Sequence, residues 1–570
     1  MPNIKTVDTF LCIFPRPTAS FFVFISTNTS LELLNRRGVE MNSPNRSWFS
    51  EFRSLLHHVE DGVFRKDSSS PASQWVISAK LWGYETAIFL LPSFLQPRVS
   101  QEDNHEKPQE GHRNRSTSSL DGLRGYAAFA VMNFHILYAY QSFVFYGYGL
   151  SPHDAAYCER EGDSQNHHDR WFHQLPVIRL VYNGTWAISA FFVISGFALS
   201  YKSLKVSRDS TSSLTKAATA TTSSLFRRPF RLLLPPLFAS LVTALLISLG
   251  AYEHGRRIST DPSWVPIIEE EHRARQSSIG AQIYDWAGQS WKMFNIFWWG
   301  DLRNHYDEHL WTIPTELRCS LAIFLVTPLY TRMRRLPRRL VMIVLILYVY
   351  SLDRWDVSLF YSGLLIADTA LDREFSENGD GDTSDVALGS LNRSTNRNGV
   401  SWQLSGKFFT AGKLIILYFS LHLLSAPDFC IDYTPGYSVF GNLIPASDPA
   451  PFRFWPNIGG IILVYLIAHT LPSNLLIQWL LNSSIPQYLG RISYSLYIIH
   501  GPMIHTAGYA LFPQLWTITG REETWRYVLG FATAYIVFIA LIVWLADVFC
   551  RAIDEPCVRL ARRIELAVLI

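Results

Sequence analysis

The stretch "SLDGLRGYAAFAVMNFHILYAY", residues 119–140, decides the fold class of this chain. It is apolar and long enough to cross a bilayer, which takes about 20 such residues in a helix, yet it contains Arg124 and His135. At 3.6 residues per turn these two lie close to three turns apart, so they share one helix face at a separation of roughly 16 Å. Ionisable groups in membrane helices usually face other helices or a water-filled cavity. The stretch therefore predicts a helical bundle with a polar interior.

Composition agrees with a membrane protein that also has long polar segments. Of the 570 residues, 48% are hydrophobic and 14% aromatic, but the mean hydropathy is only +0.09. Residues 101–118, 202–224 and 373–400 are polar, and we expect them to be loops or disordered. The net charge of +3 gives no sign of a nucleic-acid partner. The six cysteines include no CxxC pair, so no zinc or redox motif is present.

Apolar runs of spanning length predict an all-α polytopic membrane protein, a bundle of about ten transmembrane helices joined by polar loops. The ten runs lie near residues 121–140, 178–201, 231–251, 308–330, 339–352, 355–370, 411–425, 457–471, 487–511 and 527–550.

Basic residues indicate which side each loop occupies, because short loops rich in Lys and Arg tend to stay in the cytoplasm. One basic cluster follows the second span, a second is "TRMRRLPRR" (331–339) after the fourth span, and a third ends the chain. Even numbers of predicted crossings separate the clusters, so all three fall on one side. The N-terminus is then cytoplasmic, and the far side holds residues 141–177, 252–307, 426–456 and 512–526.

The spans divide the chain into three regions. Residues 1–118 match no known motif, and we expect them to be cytoplasmic and partly disordered. Residues 119–552 contain the ten spans, and residues 553–570 form a basic cytoplasmic tail. Cys158 and Cys430 are the two cysteines in predicted far-side loops, so they could form a disulfide if that side is oxidising.

Further polar residues interrupt the later spans. Glu316 and His309 begin the fourth span, where Pro314 suits the first turn of a helix. Singly, each polar residue could be a hydrogen-bonded packing residue. A bundle that sequesters an Arg, two His, a Glu and several Tyr is more consistent with an enclosed polar reaction chamber. The ninth span contributes Arg491, Tyr494, Tyr497 and His500.

Five motifs, in order along the chain, resemble those of the acyltransferase 3 family of integral membrane acyltransferases. The first is "SLDGLRGYAAFAVMNFH", which is similar to the family motif of an Arg and a His separated by ten residues. The others are "FFVISGF" (191–197), "FRRPFRLLLP" (226–235), "HLWTIPTE" (309–316) and "GRISYSLYIIH" (490–500). "YSGLLIAD" (361–368) and "DEPCVRLARRIE" (554–565) resemble fungal-type members. The resemblance extends from about residue 119 to the end of the chain.

The resemblance implies transfer of an acyl group, typically acetyl from acetyl-CoA, to a hydroxyl of a sugar, lipid or small natural product. Acyl-CoA is then a co-substrate, and no tightly bound cofactor is implied. Fungal-type members commonly acylate lipophilic secondary metabolites, so the expected acceptor is a lipophilic small molecule or a glycoconjugate. We expect a multi-pass protein of the endoplasmic reticulum or plasma membrane, in contact with membrane lipid.

The chemistry of ester formation suggests two candidates for the catalytic base. An alcohol must lose its proton to become a good nucleophile, and an imidazole with a pKa near neutrality can take that proton. His135 is the expected base. Glu316 could orient the His135 imidazole if the first and fourth spans touch, or it could be the base itself.

Three arginines and three ninth-span residues are expected to bind the substrates. Arg124, Arg228 and Arg231 lie on the predicted cytoplasmic side, and guanidinium groups suit the phosphates of acyl-CoA. Arg228 and Arg231 could equally be topology signals. The residues expected at the substrate are Tyr494, Tyr497 and His500.

Two other groups of residues are given no chemical role. Ser195 and Gly196 in "ISGF" are expected to let helices pack closely, because no GxSxG nucleophile elbow surrounds the serine. Loop histidines near residue 170 lack paired helical spacing, so no metal site is expected. These histidines are His167, His168 and His173.

Two other classes of protein also fit the sequence. A polytopic transporter or flippase would also bury ionisable groups along its path, although no internal repeat is visible. An acyl-carrying membrane subunit would pass an acyl group to a separate transferase. Appearance of an acylated product that requires acyl-CoA would distinguish the enzyme from both.

Overall fold

The protein is almost entirely α-helical in the part that the computed structural model describes, and no strand is found there. The chain forms two compact units, Met1–Ser100 and Gln101–Ile570. Little of the first unit, or of the predicted N-terminal region 1–118, lies within the described part, and the helices named below belong to the second unit. The described residues are 83, 86–96, 117–151, 170–208, 214–261, 263–265, 273–298, 302–378, 399–469 and 475–568.

Fourteen helices of eight or more residues are numbered here in chain order within the described part. They are α1 Ser118–Tyr138, α2 Gly184–Arg208, α3 Leu214–Ser248, α4 Ile279–Phe294, α5 Thr312–Arg332, α6 Arg335–Ser351, α7 Trp355–Asn378, α8 Gly399–Leu424, α9 Pro451–Ala468, α10 Leu475–Asn482, α11 Ser484–Met503, α12 Tyr509–Thr519, α13 Thr524–Phe549 and α14 Glu555–Val568.

The prediction of an all-α polytopic membrane protein is confirmed, and a helix coincides with each of the ten predicted runs. A single π-helical turn, Ile504–Gly508, divides the ninth run into α11 and α12. Ten remains the predicted number of crossings. Five described helices are long and apolar enough to cross a membrane: Gly184–Arg208, Thr215–Ser248, Glu308–Arg332, Pro451–Ala468 and Thr524–Val568.

Two predicted loops are in fact mostly helical. The polar stretch 202–224 contains the end of α2 and the start of α3, and only residues 209–213 between them lie outside the described part. Ser203 and Thr221 hydrogen-bond across these two helices at 2.9 Å. The basic stretch 331–339 also lies largely within α5 and α6. The hydropathy pattern was misleading here because these helices continue beyond the apolar segment with polar side chains that pair with one another.

Basic residues that the sequence presented as topology signals also form a buried ion-pair network. Asp368 on α7 is fully buried and accepts from Arg208 of α2 at 2.6 Å. It also accepts from Arg339 of α6 at 2.8 Å and from Arg338. A buried charge is tolerated when opposite charges and hydrogen bonds satisfy it. The network therefore links three helices at the end of the bundle that is predicted to be cytoplasmic.

Glycines let the helices around the site approach closely. A Cβ atom on Gly196 of α2 would lie 2.1 Å from the backbone oxygen of Phe360 in α7. A Cβ on Gly490 of α11 would lie 2.3 Å from the backbone oxygen of Asp121 in α1. These contacts confirm the expected packing role of Gly196. They also bring α1, α2 and α11 together around the interior that α1 was predicted to face.

The predicted C-terminal tail is helical. Residues beyond the last span form α14, which packs on α3, where Arg227 pairs with Glu565 at 3.1 Å. In the predicted far-side loops, Cys430 is disulfide-bonded. Cys158, its predicted partner, lies outside the described residues.

Candidate active site

Three histidines from separate elements meet inside the bundle, and we call them the histidine cluster: His135, His309 and His500. The ring centroids of His135 and His309 are 4.1 Å apart, in an edge-to-face arrangement. His500 lies 4.8 Å from His309 and 5.1 Å from His135, measured in the same way. His309 and His500 are buried, and His135 is half-buried. Helix α1 therefore points its interior face toward two further imidazoles.

A buried carboxylate orients His309. Asp307 Oδ1 lies 3.0 Å from His309 Nδ1 and also accepts the backbone N–H of His309 at 3.1 Å. The side chains of Asp307 and His309 are 1% and 4% exposed. A carboxylate on Nδ1 favours the tautomer that carries its proton there, which leaves Nε2 to accept. Tyr138 Oη lies 3.4 Å from that Nε2. Asp307 and His309 thus form a dyad suited to proton transfer.

Tyr497 connects His500 and His309. The Tyr497 backbone oxygen lies 2.5 Å from His500 Nδ1, which fixes the orientation of that ring. The Tyr497 hydroxyl lies 2.6 Å from Thr312 Oγ1 and donates to the backbone oxygen of His309. The fourth and ninth predicted spans are therefore joined by hydrogen bonds beside the cluster.

Glu316 forms a second polar group, with Arg228 as its partner. Glu316 Oε1 accepts from Ser195 Oγ at 2.9 Å and from Arg228 Nη2. Arg228 Nε also donates to Ser320 Oγ at 3.1 Å. This group brings together α2, α3 and α5. Ser195, which the sequence suggested was a packing residue, hydrogen-bonds the carboxylate and lines the adjoining cavity.

Two adjoining cavities lead inward from the end of the bundle that is predicted to be cytoplasmic. The outer cavity, of about 510 Å³, is polar and contains Asn482, Gln487 and Arg491. The inner cavity, of about 70 Å³, has a mixed wall, in which apolar side chains such as Val131 and Phe192 lie beside charged and hydroxyl groups. Both are lined by Arg124, Arg231, Ser493 and Tyr494.

The inner cavity ends next to the histidine cluster. Glu316, Thr312 and Tyr497 line the inner cavity and are absent from the outer one. Because the Tyr497 hydroxyl donates to the His309 backbone, the cavity wall is one hydrogen bond away from the cluster. A polar opening, a smaller and partly apolar cavity and a set of imidazoles therefore succeed one another from the Arg124 end of α1 to the His135 end.

The predicted site residues fall into two neighbouring groups. One is the cluster with His135 and His500; the other lines the cavities. Tyr494 donates to the Leu232 backbone oxygen at 2.7 Å, and Arg124 lies 3.7 Å from Asp121. Glu316 has Arg228 as its partner, and the carboxylate that contacts a ring of the cluster is Asp307, which orients His309. The residues lining the cavities are Arg124, Arg228, Arg231, Glu316, Tyr494 and Tyr497.

The sequence did not assign a role to His309 or Asp307. His309 stands two turns before Glu316 in "HLWTIPTE", and Asp307 stands two residues before His309. The spacing was a usable signal, because an Asp two residues before a His at a helix start can cap the turn and reach the ring. Asp307 does both, since it caps the short 3₁₀ turn Glu308–Trp311.

The histidine cluster is also the one group of ligand-type side chains in the described part that could hold a metal ion. One nitrogen from each ring lies within 4.8 Å of the others. Zn–N bonds of about 2.0–2.1 Å at a tetrahedral ion place ligand nitrogens about 3.3 Å apart. The rings would therefore have to move closer before they could share an ion.

Comparison with known proteins identifies the family of the chain. The family model described as "Acyltransferase domain" matches residues 117–549. The O-acetyltransferase PaAT-1 of Phomopsis amygdali is 28% identical over 490 residues, covering 82% of this chain and 87% of the relative. The acyltransferase clz18 of Cochliobolus lunatus is 25% identical over 465 residues, covering 77% and 94%. No solved structure matches the chain.

The matched region begins with α1 and ends with α13, so it includes the histidine cluster, the Asp307–His309 dyad and both cavities. The resemblance noted from five short motifs therefore applies to the whole helical bundle. This chain belongs to the acyltransferase 3 family, and it is a membrane acyltransferase.

Proposed function

We propose that the protein transfers an acyl group, normally acetyl, from acyl-CoA to a hydroxyl of a lipophilic small molecule or glycoconjugate. One observation carries the proposal: a polar cavity with three arginines adjoins a smaller, partly apolar cavity that reaches the side of three imidazoles. Acyl-CoA has the same order of chemistry, with phosphates at one end, a long thin arm, and a thioester at the other end. The match supports entry of the donor from the Arg124 end.

His135 is assigned the role of general base. Its imidazole takes the proton of the acceptor hydroxyl, and the oxygen attacks the thioester carbonyl carbon to give a tetrahedral intermediate. The intermediate collapses by breaking the C–S bond, and the CoA thiolate receives the proton from the imidazolium. Ester and free CoA thiol are the products, so protons and electrons balance without a cofactor.

The Asp307–His309 dyad supports this proton transfer. His309 lies edge to face with His135, and Asp307 fixes its tautomer. A neutral imidazole next to an imidazolium can share the proton through a substrate hydroxyl or water. In this proposal Asp307 is a positioning residue. His500, fixed by the Tyr497 backbone, completes the polar wall around the reacting groups.

The arginines have separate tasks in the proposal. Arg124 and Arg231 line both cavities, so they are placed to bind CoA phosphates by charge-assisted hydrogen bonds. Arg228 is committed to Glu316, and this pair holds α3 against α5 at the passage. Glu316 is therefore assigned to positioning Arg228 and Ser195. Tyr494 and Tyr497 line the passage and are assigned to substrate contact.

The proposed acceptor class rests on the relatives and on the motifs. A relative is named an O-acetyltransferase, and fungal-type members of this family commonly act on secondary metabolites, as the motifs implied. Such acceptors are lipophilic, and an active site between membrane helices is accessible to them. The proposed location is the endoplasmic reticulum or plasma membrane.

Labelled acetyl-CoA tests the proposal. Membranes containing the protein are incubated with acetyl-CoA labelled in the acetyl group and with extracts of a strain that lacks the protein. Mass spectrometry should detect a lipophilic product that has gained one labelled acetyl group, and membranes with His135→Ala should not form it. Label that remains on the protein, or reaches product only when a second transferase is added, would instead indicate an acyl-carrying subunit.

A further inference from the structure

Arg453 lines neither of the two active-site cavities and lies in an unusual setting. It is the third residue of α9, and its guanidinium carbon lies 4.6 Å from the ring centroid of Trp355 and 5.2 Å from that of Trp311. The side chain is only partly exposed. Aromatic faces attract a cation, but they offer no acceptor for its five N–H donors.

Asp428 and Asp356 are near enough to attract this charge, but no described carboxylate bonds to it. The guanidinium of Arg453 makes no ion pair or hydrogen bond with any described residue. Of the nearby acids, Asp356 is held by Arg354 at 2.7 Å, and Asp428 accepts from Thr185 at 2.8 Å. A partly buried guanidinium without an acceptor is costly, so its N–H groups call for an acceptor from outside the chain.

Arg453 opens onto a cavity of about 240 Å³. Its deep part contains Arg453, Trp355 and the buried Asn457, whereas Ser351 and Asp353 at its rim are exposed. Asp448 also lines it and accepts from the Tyr350 hydroxyl at 2.7 Å. The cavity is therefore cationic at its floor and acidic toward its mouth. A ligand that carries a negative and a positive group one short chain apart complements this arrangement.

The mouth of the cavity lies at the end of an exposed apolar face of α6. Ser351 ends α6 and lines the cavity. The preceding turns of α6 expose large apolar side chains, with Val344 at 64% and Leu347 at 65%. In a bilayer such a face contacts acyl chains. Chains lying on α6 would bring a headgroup to the cavity.

We propose that this cavity binds the headgroup of a zwitterionic phospholipid with a primary ammonium group. The phosphate accepts from Arg453, the ammonium donates to Asp448 and Asp353, and the acyl chains lie along the exposed face of α6. This cavity shares no lining residue with the two cavities that contain Arg124, and its ligand is not a substrate of the proposed acyl transfer.

Native mass spectrometry of the full-length protein in detergent tests the proposal. Phosphatidylethanolamine, phosphatidylglycerol and chain-free glycerophosphoethanolamine are offered separately at equal concentrations. The wild type should retain phosphatidylethanolamine in preference to the other two. Arg453→Gln should weaken its retention by about tenfold or more, as expected for loss of charge-assisted hydrogen bonds to phosphate.

Three further variants separate binding from folding. Asp448→Asn should shift the preference toward phosphatidylglycerol, which loss of structure would not do. Ser447→Trp places a bulky side chain at the exposed rim and should block binding of the lipid. It replaces Arg453→Gln as the test if that variant does not fold. Arg521→Gln is the matched control, because Arg521 also stacks on a tryptophan, Trp264 at 4.5 Å, but lies outside the cavity.

Several results would overturn the proposal. Equal retention of phosphatidylethanolamine by the wild type, Arg453→Gln and Ser447→Trp would mean that no such site exists. Equal retention of phosphatidylethanolamine and phosphatidylglycerol by the wild type would also mean that the cavity is not such a site. Retention of the chain-free headgroup as firmly as the lipid would make this a site for a soluble zwitterion and would contradict the role of α6.

Discussion

His135 is the residue whose removal tests the proposed chemistry most directly. His135→Ala should lower the turnover of acyl transfer by about 10² to 10⁴, the usual contribution of a general base. The protein should remain folded and abundant, because His135 is only half-buried and Ala is the residue best tolerated in a helix. Initial rates with labelled acetyl-CoA measure the effect. His254→Ala, at an exposed histidine, is the control and should retain wild-type rates.

Gly501 offers a way to disturb the Asp307–His309 dyad without replacing either residue. A Cβ at this position would lie 2.5 Å from Asp307 Oδ1 and 2.6 Å from His309 Nδ1. Gly501→Ala should therefore displace the ring and lower turnover by about 10²-fold, with a smaller effect on the KM for the donor. Gly508→Ala is the control, since its Cβ would make only ordinary contacts, at 3.6 Å or more. Equal rates in both variants would remove the dyad from the mechanism.

Arg124 should affect donor binding more than turnover. Loss of its contacts with CoA phosphates in Arg124→Ala should raise the KM for acyl-CoA by about 10- to 100-fold, the range expected for charged hydrogen bonds. Steady-state kinetics with donor and acceptor varied separately provide the measurement, and the exposed Arg563→Ala is the control. If only the acceptor kinetics move, Arg124 does not bind the donor.

At the scale of single residues, the sequence predicted which side chains face the interior better than it predicted their hydrogen-bond partners. Arg124 and His135 were correctly expected on one interior face, because helical geometry alone fixes that relation. The partner of Glu316 could not be predicted, since Arg228 reaches it from a helix 88 residues earlier in the chain. Asp307 was overlooked for a different reason. It precedes the apolar run, so it looked like an ordinary loop acid until the turn at Glu308–Trp311 placed it under His309.

Close packing of α2 against α7 can be tested at the scale of the element. Gly196→Ala would put a methyl group 2.1 Å from the backbone oxygen of Phe360, and backbone in a packed helix cannot move aside cheaply. The substitution should cost about 1–3 kcal/mol and lower the melting temperature in detergent. Gly412→Ala on α8 meets nothing within 4 Å and should leave stability unchanged or slightly higher. Similar melting of the two variants would contradict close packing at this interface.

Hydropathy predicted the apolar parts of the helices, but it did not predict the polar turns by which some helices continue beyond the apolar segment. The start of α3 at Leu214 was missed because its first turns are rich in Thr, Ser and Lys. Polar side chains there pair with neighbouring helices, as Thr221 does with Ser203, and hydropathy does not record such pairing. Arg338 and Arg339 are a similar case. Their charges marked the cytoplasmic side for the prediction, yet they also hold α6 to α7 through Asp368.

For the whole molecule, hydropathy and motif order were enough to predict the fold class and the family. A helix coincides with each predicted run, but hydropathy and motif order did not reveal the interior cavities. A cavity depends on which side chains from distant helices leave space between them, and Tyr494, Val131 and Glu316 lie far apart in the chain. The side of the membrane from which the acyl donor enters is a property of the whole molecule. It depends on the predicted orientation, with Arg124 toward the cytoplasm and His135 toward the far side.

Cysteine labelling tests that orientation in sealed membrane vesicles whose cytoplasmic face is outward. Cys557 on α14 is a free, half-buried thiol, and Cys430 is disulfide-bonded in a predicted far-side loop. An impermeant maleimide should modify Cys557 and leave Cys430 unmodified, even after a permeant reductant has opened its disulfide. Detergent permeabilisation should then expose Cys430 to the reagent, and in a protein that carries Cys12→Ser, adding Cys557→Ser should remove the signal from sealed vesicles. Modification of Cys430 in sealed vesicles would show that the orientation of the bundle is opposite to the predicted one. The arginine-lined cavity would then open away from the compartment that supplies acyl-CoA.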